Sequence, residues 1–405
     1  MTDSIQAPLR GIRVVDFCAI YAGPYACSTL GMLGAEVIRV ETRMRPDGLR
    51  TGRMNRPPDA PPDAPGFHTL NHNKKGITIN LRDPRGAELV KRLVAFSDVV
   101  AEYYRPGVME SLGISYEQLR PANPELIMLS LSAMGDSGPE RRYGALATTF
   151  SALGGLSHLA GYADGAPTEF RGSSDFRSGL AGTFATLAAL YHRQRTGQGQ
   201  RIDMSAREAM SCLIGDTLLD YSMNGRVRNR DGNRDRVMAP HNVYRCSGDD
   251  HWVSIAVATD EEWRSLCTAI GQPTLADDPR FCDAADRWAN QTELDEIITA
   301  WTSEQTDYAA MNALQGAGVA AMLSLRSDQI PNDPHLTARG FLHPVQHERV
   351  GQITLLSSPW RMSASPGFPP AAGPMLGEHN DYVFGELLQM EAEEIGALVD
   401  AQVIY

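Results

Sequence analysis

Three stretches of this sequence place reactive or ligand-holding residue types where a fold can use them. Gly172-Ser173-Ser174-Asp175 stands at the head of residues 175–193 (DFRSGLAGTFATLAALYHR), a long helix candidate. A carboxylate at a helix N-terminus meets unpaired backbone N–H groups and the positive end of the helix dipole. From this segment alone it reads first as an N-cap. The alternative is a carboxylate held ionised and available as a nucleophile. Arg171 and Arg177 flank it and suit an anionic substrate, or are ordinary solvated charges. Asn71-His72-Asn73-Lys74-Lys75 offers amide and ammonium donors to phosphate or ribose oxygens, or forms a plain polar turn. Tyr103-Tyr104-Arg105-Pro106-Gly107 follows a strand candidate, and ligands of open α/β sheets bind at the carboxyl ends of parallel strands. The two tyrosines stack on a base there, or simply pack.

Other reactive patterns are poor. There is no GxSxG, and the 10 histidines show no triad spacing, His72 being the one worth following. Six cysteines (Cys18, Cys27, Cys212, Cys246, Cys267, Cys282) are scattered without a CxxC pair and read as free thiols of a reducing compartment. Without HExxH, a Cys/His cluster or an EF-hand loop, no metal site is expected.

The elements that must position these residues follow from apolar spacing. Residues 12–17 (IRVVDF) read as a strand broken by Ala22-Gly23-Pro24, 25–33 as a helix ended by Gly34, and 36–40 (EVIRV) as a second strand followed by Glu41. This β-α-β unit suggests a Rossmann-like half, although the GxGxxG dinucleotide fingerprint is absent. Residues 44–66 are rich in Pro and Asp and read as an exposed loop. Further strands are expected at 77–81, 98–102, 126–131 and 202–204, and helices at 84–96 and 206–221. Alternation of this kind implies a parallel sheet covered by helices. In the long helix, Phe176, Leu180, Phe184, Leu187, Ala188 and Tyr191 lie on one apolar stripe. Residues 252–257 (WVSIAV) and a helix at 261–270 open a smaller α+β unit.

The chain has 405 residues, 37 Lys+Arg against 49 Asp+Glu, and a formal charge of −12. A 42% hydrophobic content supplies a core and argues against general disorder. The acidic balance argues against non-specific nucleic-acid binding, which needs Lys/Arg on phosphate, but leaves room for a local basic pocket. No apolar run approaches the roughly 18 residues of a membrane span. Residues 1–9 carry no signal-peptide h-region, so the chain is expected in the cytoplasm, with no membrane partner.

Taken in order, the segments PLRGIRVVDF, AGPYACSTLGMLGAEVIRVE, LNHNKKGITINLRDPRG, EYYRPGVMESLGI, SGPERRYG, GSSDFRSGL, HRQRTGQGQRIDMSAREA, DPRF, NDPHLTARGF, SSPWRMSASP and LGEHND resemble the class III CoA-transferase family. That family contains formyl-CoA transferase, carnitine CoA-transferases and α-methylacyl-CoA racemase. The resemblance covers roughly residues 8–390. It implies an α/β fold: an open Rossmann-like large domain formed by both chain ends, a smaller α+β domain inserted, and an interlocked dimer. The expected divisions are 1–223 (large domain), 224–240 (linker), 241–326 (small domain), 327–345 (linker) and 346–405 (completing the large domain).

The resemblance also implies that Asp175, at the family spacing before HRQRTGQGQ, is the nucleophile. It would form a mixed anhydride with the acyl group and then an aspartyl-CoA thioester. No cofactor is bound permanently; coenzyme A enters as a thioester substrate. By motif, Tyr21 and Ala22, Arg43, Asn71, Asn73 and Lys74, Tyr103, Tyr104 and Arg105, and Arg142 are the expected CoA contacts. The partners are acyl-CoA and organic-acid substrates and a second copy of the chain, or a homologue in a heteromer.

Three departures matter. Ser111 replaces an Arg common in the family's GVLERLG segment. Ala145-Leu146-Ala147 replaces its Gly-Tyr-Asp turn, and Leu146 stands where racemases need a proton-transferring His. No counterpart of the tetraglycine loop of oxalate enzymes appears around 230–242. The expected activity is CoA transfer to an acid larger than formate or oxalate. The alternatives are an acyl-CoA racemase or epimerase, a silent CoA-binding subunit, and a nicotinamide-binding protein.

Overall fold

Six short strands build one parallel sheet in the computed structural model, which describes residues 7–51, 65–170, 172–365 and 369–405. The strands are β1 (Arg13–Asp16), β2 (Glu36–Glu41), β3 (Lys74–Thr78), β4 (Val99–Glu102), β5 (Ile127–Ser132) and β6 (Arg201–Ser205), in the order β3-β2-β1-β4-β5-β6. Each neighbouring pair is parallel. The order reverses between β1 and β4, and in such sheets a crevice opens at the carboxyl ends of those strands.

Successive side chains of a strand point to opposite faces. On one face, Val15, Ile38, Ile77, Val100 and Met128 meet a layer that holds residues 84–94 together with Val383, Phe384 and Ile404. Val14, Val37, Val99, Ile127 and Leu129 face α1 itself (Ala22–Met32), packing with its Ala22, Ala26 and Leu30. Burial on both faces is why the bodies of the central strands β1, β4 and β5 are largely apolar. The Ala22-Gly23-Pro24 stretch, expected as a break, instead starts α1. Pro24 sits in the first turn, where its missing N–H would have had no helical partner. Helix α2 (Pro84–Val94) begins under an Asp83 cap, whose side chain accepts from the Arg85 N–H.

Helix α3 (Ser173–Thr196) extends from Gly172 (φ 78°) to Gly197 (φ 69°). Its buried face is Ser174, Asp175, Ser178, Gly179, Gly182, Thr183, Thr186 and Ala189. The apolar stripe expected to seat it largely faces outward: Leu180, Phe184 and Tyr191 are exposed, Phe184 at 75%. Close approach to α1 explains the inversion. A Cβ on Gly179 would stand 2.6 Å from the Ala22 carbonyl oxygen, so only small residues fit the inner face.

Two boundaries also differ from the sequence reading. β3 begins at Lys74 rather than residue 77, so both lysines of the polar motif lie in the strand, Lys74 inward and Lys75 outward. The helix expected at 206–221 is two, α4 (Ala206–Cys212) and α5 (Gly215–Asn224), and α5 buries none of its residues. The loop expected at 44–66 falls partly on 52–64, outside the described residues.

The chain divides into two compact units: Met1–Ser157 with Glu169–Arg226 and Pro334–Tyr405, and His158–Thr168 with Val227–Asp333. The second is built on an antiparallel sheet of β7 (His241–Arg245), β8 (Trp252–Ala256) and β9 (Ala320–Leu323). Its core holds Tyr244, Val253, Ile255, Trp263, Leu266 and Leu314. In the first unit, β10 (Leu342–His347) and β11 (Gly351–Leu356) form a hairpin. The last residues then cover the β3 edge: the Thr78 N–H donates to Asn380 Oδ1 (3.0 Å) and the Asn80 N–H to the Val403 carbonyl (2.7 Å). Among the described residues, no helix is long and apolar enough to cross a membrane.

Candidate active site

Asp175 is the third residue of α3, past the cap position held by Gly172, so it is not the N-cap that the segment alone suggested. The Ser173 N–H donates to the Phe170 carbonyl (3.0 Å), folding the preceding chain back across the helix start. Asp175 is 8% exposed. Burial, and then the neighbouring Glu169 carboxylate, push its pKa up to about 6. No hydrogen bond or ion pair joins its carboxylate to another described residue. A carboxylate with little water and no cation keeps its lone pairs for an electrophile.

The surroundings come from α1 and β4. Phe176 packs edge-on against Tyr25 (ring centroids 4.7 Å) and Tyr21 (6.3 Å). Gly23 lets the chain after β1 meet Tyr103: a Cβ there would touch Cys18 at 2.5 Å and the Tyr103 Cβ at 3.2 Å. Burial and then Asp175 itself raise the Tyr103 phenol. Tyr21, Ala22 and Tyr103 are thus gathered around Asp175 at the carboxyl ends of β1 and β4. Tyr104 adjoins them, half-buried, its pKa pushed up to about 12 by burial and then by Cys18. Arg105 is exposed and lies across Gly144. Arg142 is exposed nearby in sequence, and Arg43 is exposed beside the Tyr405 ring, 5.4 Å from its centroid. Arg177 is exposed on α3, and Arg171 lies outside the described residues.

The polar motif is also bonded within the protein. Lys74 Nζ donates to Asp16 Oδ2 (2.8 Å), the Pro24 carbonyl (2.9 Å) and Asn71 Oδ1 (3.0 Å), which uses all three of its protons. Asn71 is fully buried and also accepts from Arg39 (2.6 Å) while donating to the Phe67 carbonyl (3.0 Å). Lys74 thus braces α1 through the Pro24 carbonyl, with Asn71 holding its ammonium in place. Asn73 adopts φ 60°, and its Oδ1 accepts from the Ala371 N–H (2.5 Å), while its Nδ2 is buried without a partner. His72 is buried; burial and then Lys74 push its pKa down to about 4, so it is neutral at pH 7. Ser111 spends its hydroxyl on the Val108 carbonyl (2.7 Å), and Leu146 is 68% exposed.

The sequence reading missed the network beneath. Asp16, at the end of β1, accepts from Lys74 and from the Cys18 N–H (2.8 Å), with Arg39 3.9 Å away. Burial alone would raise its pKa, but Lys74 and Arg39 hold it below the usual carboxylate range. Arg39 continues to Asp47 (2.5 Å) and Glu41 (3.3 Å), and Arg50 pairs Glu41 (2.7 Å) above the Phe67 ring. Asp16, Cys18 and Cys27 bring three ligating atoms within 4.8 Å of one another, but a metal ion there would face the Lys74 ammonium. Glu102, at the end of β4, is pushed up to about 7 by burial, although the Tyr104 N–H bonds it (2.7 Å). A carboxylate closing an apolar strand was the available signal for both Asp16 and Glu102. Glu169 had none.

Comparison with known proteins adds names to this arrangement. Residues 9–380 match the family described as "CoA-transferase family III". The chain is 36% identical over 400 residues to a succinyl-CoA–D-citramalate CoA-transferase of Chloroflexus aurantiacus, covering 98% of each. It is 35% identical over 408 residues to the alpha subunit of a succinyl-CoA–L-malate CoA-transferase of the same organism, covering 100% of this chain and 94% of that one. Among solved structures, a CaiB/BaiF family protein from Brucella suis superposes with a TM-score of 0.85 at 32% identity, covering 94% of this chain and 99% of that one.

Proposed function

Because this chain belongs to CoA-transferase family III, we propose that it moves CoA from an acyl-CoA donor to a carboxylic acid acceptor, with Asp175 as nucleophile. The observation that carries this is Asp175 itself: buried, without a cation among the described residues, and close to where β1 and β4 end at the reversal of the sheet order. The relatives' names favour succinyl-CoA as donor and a dicarboxylic acid as acceptor.

An Asp175 oxygen attacks the thioester carbonyl, the C–S bond breaks, and CoA leaves as thiolate from a mixed anhydride. The thiolate then attacks the Asp175 side-chain carbonyl and expels the donor acid, leaving an aspartyl-CoA thioester. The acceptor carboxylate attacks that carbonyl, forming a second anhydride and freeing thiolate again. Attack by thiolate on the acceptor's acyl carbon releases the new acyl-CoA and restores the carboxylate. Thioester energy is conserved throughout, so no ATP is consumed. Backbone N–H groups of the first turn of α3 are donors for the oxyanion formed at each attack.

In this reading the large unit is a Rossmann-like CoA-binding domain. Tyr21, Ala22, Tyr103 and Tyr104 hold the ligand near Asp175, the exposed Arg43, Arg105 and Arg142 supply charge for phosphates, and Asn73 offers its unpartnered amide. Asn71 and Lys74 act as positioning residues. The outward band of Leu180, Phe184 and Tyr191 on α3, with Leu218, Leu219, Tyr221 and Met223 on α5, supports an interlocked homodimer, since apolar patches of this kind mark association surfaces. The subunit names of one relative favour a heteromer as the second reading. Sedimentation of the purified chain separates the two, a monomer active only with an added homologue favouring the heteromer. Six unpaired cysteines fit a cytoplasmic enzyme.

The direct test is exchange of labelled succinate into succinyl-CoA. Asp175→Ala is expected to lower the exchange rate by at least about a thousandfold while the protein stays folded. Undiminished exchange would refute the assignment.

A further inference from the structure

Glu169 lies at the turn into α3, and both its carboxylate oxygens are closed off from solvent without a hydrogen-bond partner among the described residues. The Phe170–Ser173 hydrogen bond (3.0 Å) folds this residue back beside the first turn of the helix, where its charge acts on Asp175. A second polar atom there, the hydroxyl oxygen of the fully buried Ser174, is also without a partner. Buried polar groups are nearly always bonded in folded proteins, and an orphaned one costs free energy until a partner arrives. Two such groups flank the nucleophile.

Resting on the CoA-transferase reading above, we propose that Glu169 is a specificity residue that accepts a hydrogen bond from a hydroxyl group on the substrate acid, so that the site selects hydroxy acids over their unsubstituted counterparts. Three alternatives for the group facing Glu169 fail on charge or bonding. A methyl group would leave the carboxylate orphaned. A second carboxylate would repel it. An ammonium group between Glu169 and Asp175 would pair with the nucleophile and withdraw the lone pair that must attack the thioester. A hydroxyl satisfies one carboxylate oxygen and leaves Asp175 free, and Ser174 can bond its oxygen in turn. Glu169 takes no proton in this role; it only accepts the hydrogen bond.

The test compares acceptors in which hydroxyl is replaced by methyl, which is nearly its equal in size. With succinyl-CoA as donor, malate is paired with methylsuccinate, and 3-hydroxybutyrate with 3-methylbutyrate. The wild-type enzyme is expected to favour the hydroxyl member of at least one pair by roughly 10- to 100-fold in kcat/KM, the range of a hydrogen bond to a charged group. Glu169→Leu should collapse that ratio towards unity, and the isosteric Glu169→Gln, which keeps an accepting oxygen, should retain an intermediate ratio. Each ratio is taken within one variant, so altered folding or expression cancels. A wild type without hydroxyl preference in either pair, or a preference equal in wild type and Glu169→Leu, would overturn the proposal while leaving CoA transfer intact. Absence of transfer to every acid, with any labelled exchange unaffected by Asp175→Ala, would instead remove the reading on which it rests.

Discussion

Asp16 and Asp175 are two buried aspartates on the same side of the sheet, one ending β1 and one opening α3, and their environments drive them in opposite directions. Asp16 has an ammonium at 2.8 Å, a guanidinium at 3.9 Å and a backbone N–H at 2.8 Å, and its pKa falls. Asp175 has a second carboxylate for its charged neighbour, and its pKa rises to about 6. Burial opposes ionisation in both, so the difference lies in the partners. A carboxylate that the fold has paired serves as a strut. One left unpaired at a strand-end crevice holds reactivity that the fold pays for in stability.

The largest effect that tests this contrast, after the loss of exchange in Asp175→Ala, is on the strut. Lys74→Ala leaves Asp16 buried with Arg39 alone, and should destabilise the protein by about 3–5 kcal/mol, read from urea unfolding at pH 7. Because the Asp16 pKa is lowered by folding, its contribution is present above the ordinary carboxylate range and is lost as pH falls through its folded value. The gap between Lys74→Ala and wild type should therefore narrow in acid. An equal gap at every pH would show that Asp16 is not the group left uncompensated.

The opposite sign is expected at Asp175. Its raised pKa means that the protonated form suits the fold. That contribution is complete below the unfolded value of about 4 and is lost as pH rises through about 6. Asp175→Asn should thus match wild type in stability near pH 3.5 and exceed it above pH 6, by on the order of 2 kcal/mol, in thermal or denaturant unfolding. A variant less stable than wild type at pH 8 would make Asp175 a strut like Asp16.

A smaller effect appears in the pH–rate profile. Transfer needs the ionised carboxylate, so kcat/KM should rise with pH to a plateau with a midpoint at about 6 rather than in the ordinary carboxylate range. Substitution of Glu169 by Gln removes the adjacent charge and should move that midpoint downward. A midpoint that stays put would assign the whole displacement to burial.

Much of this contrast lies beyond local sequence pattern. The strands were readable because a parallel sheet buried on both faces leaves continuous apolar runs such as IRVVDF and ELIMLSLS. The long helix was readable from its apolar residues, but its inner face was not. Gly179 and Gly182 count as neutral in any periodicity, yet they are what lets α3 approach α1 and β5. Asp175 was a candidate from its place at a helix start, but locally it read first as an N-cap, and only the family spacing favoured the nucleophile. Asp16 and Lys74 are 58 positions apart, and their pairing exists only once β3 and β1 share a sheet. The same fold-level contact ties Lys74 and Asn71 into one internal network that their polar motif did not reveal.

Peptide mass spectrometry after reaction with succinyl-CoA and hydroxylamine tests the role of Asp175 most directly. Hydroxylamine attacks the activated carbonyl of an aspartyl thioester and leaves a hydroxamate. The modification is expected on the peptide containing Asp175, with inactivation in proportion to labelling and no label in Asp175→Asn. A hydroxamate on a different residue, or none during continued turnover, would contradict the account.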